Sequence, residues 1–113
     1  MTSYLRLHRH EEKVNFLMAY LNGMLENYPR DTPLMVFGSG ANGKSYILNE
    51  VAERSPIPIV TFGDGYRYFP THHTSSRLAV LIICNGAPED FAFAKYMNAN
   101  IVEFGKDLDY CAR

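Results

Sequence analysis

The stretch GSGANGKS at residues 38–45 decides the fold of this 113-residue chain. It matches the pattern G-x-x-x-x-G-K-[ST], known as Walker A, at every fixed position. In such a loop the backbone N–H groups surround a phosphate, Lys44 reaches the terminal phosphates, and the Ser45 hydroxyl is placed to hold Mg²⁺. The stretch therefore predicts a site for ATP and Mg²⁺, with nucleotide contacts from Gly38, Ser39, Gly40, Ala41, Asn42, Gly43, Lys44, Ser45 and Tyr46.

The residues on either side of this loop have the expected pattern. The run LMVF at residues 34–37 is apolar throughout, which is typical of a central strand covered on both faces. Residues 45–53 predict a helix, whose positive N-terminal end would face the bound phosphate. The alternative is a glycine-rich turn that matches by chance, and chance matches rarely fall between a strand and a helix.

Length and composition restrict the class of protein. With 113 residues, 47% of them apolar, we expect one minimal domain over residues 1–113 with a nucleotide-binding core at about 34–105. The net charge of −1 argues against broad electrostatic capture of nucleic acid. The two cysteines show no paired ligand spacing, which favours a reducing, intracellular compartment, cytoplasmic or nuclear. We expect no membrane span and no secretory signal.

Periodicity predicts the remaining elements. A one-sided apolar stripe predicts a helix over about 11–28 that packs on the sheet, with Gly23 weakening it locally. Further strands are expected at 57–62, 78–84 and 101–104, and a helix at 88–97. Pro58 either places its strand at an edge or marks the start of that strand.

These elements predict an α/β protein with the P-loop NTPase fold. We expect a small, mostly parallel sheet, flanked by helices, in the strand order 57–62, 78–84, 34–37, 101–104. The phosphate loop would then lie at the C-terminal end of the central strand, where open parallel sheets bind ligands.

Hydrolysis of ATP would also require a carboxylate that holds Mg²⁺. The strand at 78–84 is followed directly by Asn85. An asparagine is suited to orienting a water but is a poor substitute for a charged metal ligand. Asp64 is the preferred acidic candidate, although Gly63-Asp64-Gly65 is also a turn sequence. Glu89 and Asp90 are the other candidates, and a helix terminus accounts for them as well.

The segment YRYF at residues 66–69 interleaves aromatic rings with a cation. It predicts either a loop that stacks single-stranded DNA or a loop that packs against the sheet. In a homo-oligomer, Arg67 or Arg77 would be the charge that reaches a neighbour's nucleotide.

The histidines are expected to be solvated. His72 and His73 lack further ligands at a recognised spacing, so a polar loop is favoured over a metal site. His8 and His10 belong to a small basic N-terminal segment with Arg6 and Arg9, which we expect to face solvent.

Three segments resemble superfamily 3 helicases, and most closely the primase-helicases of large DNA viruses. FGSGANGKSYILNEV at residues 37–51 resembles their Walker A segment, VLIICN at 80–85 their third motif, and MNANIVEF at 97–104 the strand that follows. The resemblance implies that Asn85 senses the γ-phosphate. It also implies a viral, intracellular protein.

The chain departs from that family at two points. The segment between the second strand and VLIICN is too short to contain the family's Walker B strand. In that family an arginine that contacts a neighbouring subunit's nucleotide typically precedes the strand corresponding to IVEF. This chain has Asn98, Ala99 and Asn100 there instead.

Two functions follow as hypotheses. The first is a weak ATPase of the viral helicase type, acting in DNA replication or packaging, with Lys44, Asn85 and Asp64 as catalytic residues and Ser45 and Asp64 on the metal. The alternative is a non-hydrolysing nucleotide-binding or regulatory module. A nucleotide kinase is disfavoured because the chain lacks room for a lid.

Overall fold

The computed structural model describes residues 4–38, 44–63, 67–69, 80–84 and 88–105. Within these ranges the chain forms six strands and three helices: β1 (Tyr4–Leu7), α1 (His10–Leu21), β2 (Leu34–Phe37), α2 (Lys44–Arg54), β3 (Ile59–Gly63), β4 (Arg67–Phe69), β5 (Val80–Cys84), α3 (Pro88–Tyr96) and β6 (Asn100–Phe104).

The strands form one six-stranded sheet in the order β1-β6-β2-β5-β3-β4. Neighbours are parallel except for β3 and β4, which are antiparallel. The α/β class is therefore confirmed. The four strands expected from the sequence lie in the order β3, β5, β2, β6, which is the predicted order.

The connections that leave the adjacent strands β2 and β5 run in opposite directions across the sheet. The chain passes from β2 through α2 to β3 on one side, and from β5 through α3 to β6 on the other. The helix α2 packs on one face of the sheet and α3 on the opposite face, as right-handed crossovers in opposite directions require. The carboxyl ends of β2 and β5 therefore flank a topological switch point, where open α/β sheets have their ligand crevice.

Two apolar layers cover the sheet. In β2 the side chains alternate, so Leu34 and Val36 join the larger core with α1 and α2, while Met35 joins a smaller core with Ala94 of α3. All three of these β2 side chains are fully buried. The uniformly apolar sequence of β2 thus reflects burial on both faces.

The first helix is shorter than the sequence predicts. It ends at Leu21 instead of about residue 28, because Gly23 adopts a left-handed φ of 70°. The Gly23 N–H donates to the Tyr20 carbonyl and the Met24 N–H to the Ala19 carbonyl, which together form a Schellman motif. The apolar stripe therefore predicts the end of this helix wrongly. Met24 is 74% exposed, and Tyr28 is buried although it lies in a turn after the helix.

Two strands are absent from the sequence-based prediction. The basic segment from Arg6 to His10, which we expected to face solvent, begins within the edge strand β1, which is parallel to β6. Arg6 lies 3.6 Å from a carboxylate oxygen of Glu103. Residues 67–69, expected in a loop, form the edge strand β4. Because β4 covers that edge, β3 is not an edge strand, and Pro58 directly precedes its first residue.

Candidate functional site

The Walker A stretch joins the end of β2 to the start of α2. Gly38 follows Phe37 directly, and α2 begins at Lys44. Gly38 is half-buried, whereas residues 39–43 lie outside the described residues. The described flanks therefore form the strand and helix that a phosphate loop requires, at the carboxyl end of the sheet.

The first turn of α2 contains a lysine and no acidic residue. Lys44 is its first residue and is only 9% exposed, and Ser45 is the second. The other two helices begin with pairs of acidic residues, Glu11 and Glu12 in α1 and Glu89 and Asp90 in α3. A cation at a helix N-terminus opposes the helix dipole, and an anion bound there offsets that cost.

The strand that precedes Asn85 lies directly beside β2. Cys84, the last residue of β5, is opposite Val36, and Gly63, the last residue of β3, is opposite Cys84. Asn85 and Asp64 lie outside the described residues. With strands about 4.8 Å apart, the strand before Asp64 is about 10 Å from β2, twice as far as the strand before Asn85.

The remaining acidic candidates belong to α3. Glu89 is exposed and Asp90 is buried, and both lie in the first turn of this helix. Carboxylates in a first turn stabilise a helix through its dipole. In the part of the chain that the structure describes, no group of three or more His, Cys, Asp or Glu residues is arranged to hold a metal ion.

Three residues of the aromatic segment at residues 66–69 lie in a strand. Residues 67–69 form β4, in which Arg67 is opposite Thr61 and Phe69 is opposite Ile59. Tyr66, Arg77 and the pair His72 and His73 lie outside the described residues.

An aromatic pair beside the loop has no counterpart in the sequence-based prediction. The ring centroids of His10 and Tyr46 are 5.6 Å apart, with the planes tilted by 51°. His10 Nε2 lies 3.3 Å from Glu50 Oε1, and Arg54 lies 3.6 Å from the other oxygen of that carboxylate. Tyr46, Glu50 and Arg54 recur at a spacing of four, which places them on one side of α2. Only the packing of α1 against α2 brings His10 to them.

A buried cation lies at the end of β6. Lys13 is fully buried, its Nζ donates to the Gly105 carbonyl at 2.7 Å, and it lies 5.5 Å from the centroid of the Phe104 ring. A Cβ at Gly105 would lie 2.7 Å from His8 Nδ1, so a larger residue here would force the His8 side chain to move. These contacts fasten α1 to the end of β6, and no sequence motif indicates them.

A cavity of about 530 Å³ lies on the opposite face of the sheet from α2. It is bounded by α3 and by the first residues of β6, with Met35, Phe91, Ala94, Asn98, Ala99 and Ile101 in its lining. It is therefore separate from the first turn of α2.

Comparison of the chain with protein families, with curated proteins and with solved structures finds no match. Among the described residues, no helix combines the length and apolar character needed to cross a membrane.

Proposed function

We propose that the chain is a P-loop protein that binds ATP with Mg²⁺ through residues 38–46. The observation that carries this proposal is the position of the complete Walker A pattern between the central strand β2 and the helix α2 of a parallel sheet. Because the connections from β2 and from its neighbour β5 leave in opposite directions across the sheet, the pattern lies at the place where this architecture has its ligand crevice.

Each residue of the motif has a chemical role in this proposal. The backbone N–H groups of residues 38–43 and the N-terminal end of α2 bind the phosphates. Lys44 neutralises the β- and γ-phosphates, and its position in a turn without acidic residues supports that role. Mg²⁺, held by the Ser45 hydroxyl and the Asp64 carboxylate, would supply further neutralisation of phosphate charge.

Weak ATP hydrolysis of the viral helicase type, in DNA replication or packaging, is the proposed activity. Asn85, at the end of the strand beside β2, would orient the attacking water. A non-hydrolysing nucleotide-binding module is the second candidate. Two observations favour this second candidate. The residue that follows β5 is an asparagine, where a hydrolase would have its acidic residue. The strand before Asp64 is one strand further from β2 than β5 is.

Lys44→Ala tests nucleotide binding. At a free ATP concentration ~100 times Kd, binding raises the unfolding free energy by about 2.7 kcal/mol. We expect this stabilisation in the wild type and in Lys95→Ala, which removes an exposed cation of α3. In Lys44→Ala the affinity should fall by at least about tenfold, since a charge-assisted hydrogen bond contributes about 1.5–3 kcal/mol.

Thermal unfolding with ATP·Mg²⁺ and with ADP is the measurement, followed by an ATPase assay on the same three proteins. Absence of any nucleotide-dependent shift in the wild type would overturn the proposal. Equal phosphate release by the wild type and Lys44→Ala would reject hydrolysis and leave the binding module.

A further inference from the structure

An exposed aromatic ring stands within one turn of the expected phosphate site. Tyr46 is the third residue of α2, two residues after Lys44, and is 67% exposed. Its neighbours along the helix, Ile47 and Leu48, are buried in the core. The first helical turn spans about 3.6 residues, so this ring lies beside the part of α2 that would bind phosphate.

The ring that faces Tyr46 is held in place from α2. His10, the first residue of α1, has its ring centroid 5.6 Å from that of Tyr46. Its Nε2 lies 3.3 Å from Glu50 Oε1, and the Glu50 carboxylate is also 3.6 Å from Arg54. A side chain fixed in this way loses little further freedom when a ligand contacts it.

Helix packing alone does not account for the position of Tyr46. A tyrosine that served only in packing would bury most of its ring, as Tyr20 does in the core with an exposure of 0%. Two-thirds of the Tyr46 surface instead remains accessible, next to a second ring. Exposed aromatic faces beside a phosphate site are suited to stacking of a nucleobase.

We propose that Tyr46 and His10 form a platform for the base of the bound nucleotide. This inference rests on the proposed function and adds to it, because phosphate contacts alone do not distinguish ATP from inorganic triphosphate. The loop and Lys44 hold the phosphates, whereas the Tyr46–His10 platform recognises that a nucleoside is attached.

Isothermal titration with ATP and with inorganic tripolyphosphate, at one Mg²⁺ concentration, separates the two contributions. The affinity of Tyr46→Ala for ATP should fall about tenfold, as expected for loss of one stacked base, with unchanged affinity for tripolyphosphate. Tyr46→Phe keeps the ring and should bind both ligands as the wild type does. His10→Ala should weaken ATP binding about threefold, and His10→Phe, which keeps a ring but removes the contact with Glu50, should recover part of this affinity.

Three outcomes would overturn the platform. Equal loss of ATP and tripolyphosphate binding in Tyr46→Ala would indicate a structural role of this ring. Circular dichroism of each variant shows whether misfolding causes the loss of binding. Unchanged ATP binding in Tyr46→Ala, with binding lost in Lys44→Ala, would reject the platform but leave the proposed function intact. Absence of binding of either ligand by the wild type would reject both.

Discussion

At the scale of single residues, Tyr20 is the side chain whose chemistry the fold changes most clearly. It is fully buried in α1, and its hydroxyl donates to the Thr32 carbonyl at 2.9 Å. Burial, together with the nearby Asp31 carboxylate, raises the pKa of Tyr20 well above its ordinary value of 10.0. The folded protein therefore keeps this proton at a pH where the unfolded chain releases it.

Tyr20→Phe should make the protein less sensitive to alkaline pH. Above about pH 10 the unfolded wild type binds one proton fewer at this site than the folded state does, so this site lowers the unfolding free energy by about 1.4 kcal/mol per pH unit. Below pH 10 both states are protonated and the contribution is constant. The variant loses about 1 kcal/mol at pH 7 with its hydrogen bond, and this deficit should shrink or reverse by pH 11.

Urea unfolding at pH 7 and at pH 11 measures this difference, with Tyr96→Phe as the matched control because Tyr96 is 82% exposed. A deficit for Tyr20→Phe that is equal at the two pH values would contradict the prediction.

At the scale of elements, two helices end in the same way. In α1, Gly23 is the left-handed residue that closes the Schellman motif, and in α3 the same place is taken by Asn98, with φ of 55°. The Asn98 N–H donates to the Lys95 carbonyl and the Ala99 N–H to the Ala94 carbonyl, which is the same pattern as in α1. Asparagine tolerates this conformation better than other residues with a Cβ. The residues between α3 and β6 thus suit a helix end followed by a strand.

Gly23→Ala should destabilise the protein by about 1–2 kcal/mol, because a left-handed conformation costs a residue with a Cβ about that much. The new Cβ would also lie 3.0 Å from Arg30 Nε, and Arg30 donates to the Leu21 carbonyl. Gly23→Asn should cost less, and Asn98→Gly, at the equivalent position of α3, should change stability little. Urea unfolding of the three variants gives the comparison, and a Gly23→Ala protein as stable as the wild type would contradict it.

The elements that could be predicted from the sequence are those in which one local pattern dominates. The apolar run of β2 and the glycine-rich stretch before α2 carry their signals within a few residues. β1 and β4 have four and three residues, and their strand character depends on pairing with β6 and β3. The His10–Tyr46 pair was unpredictable for the same reason, since only the packing of α1 on α2 brings these rings together.

At the scale of the whole molecule, the central strand of the sheet is paired on both sides, whereas each edge strand is paired on one side. β2 has parallel neighbours on both sides and buried side chains on both faces. Among the described strands, β1 pairs with β6 alone and β4 with β3 alone. Strands with neighbours on every side open only when the whole domain unfolds, whereas edges open locally.

Hydrogen exchange followed by mass spectrometry should reveal this gradient. Peptides that cover β2 should exchange most slowly, and peptides that cover β1 should exchange at least about tenfold faster relative to their intrinsic rates. Equal protection of β1 and β2 would mean that the sheet opens as a single unit.

The pairing of β1 with β6 also constrains how the protein is made. Tyr4 lies opposite Ile101, so the first of the described strands must wait for the last of them to be synthesised. Until then Leu5 and Leu7, which pack against the larger core, have no completed sheet to join. Contacts between such distant residues form late and slowly. Docking of β1 therefore completes the described sheet only after residue 104 has been synthesised, and a chain that stops before β6 leaves β1 without its partner strand.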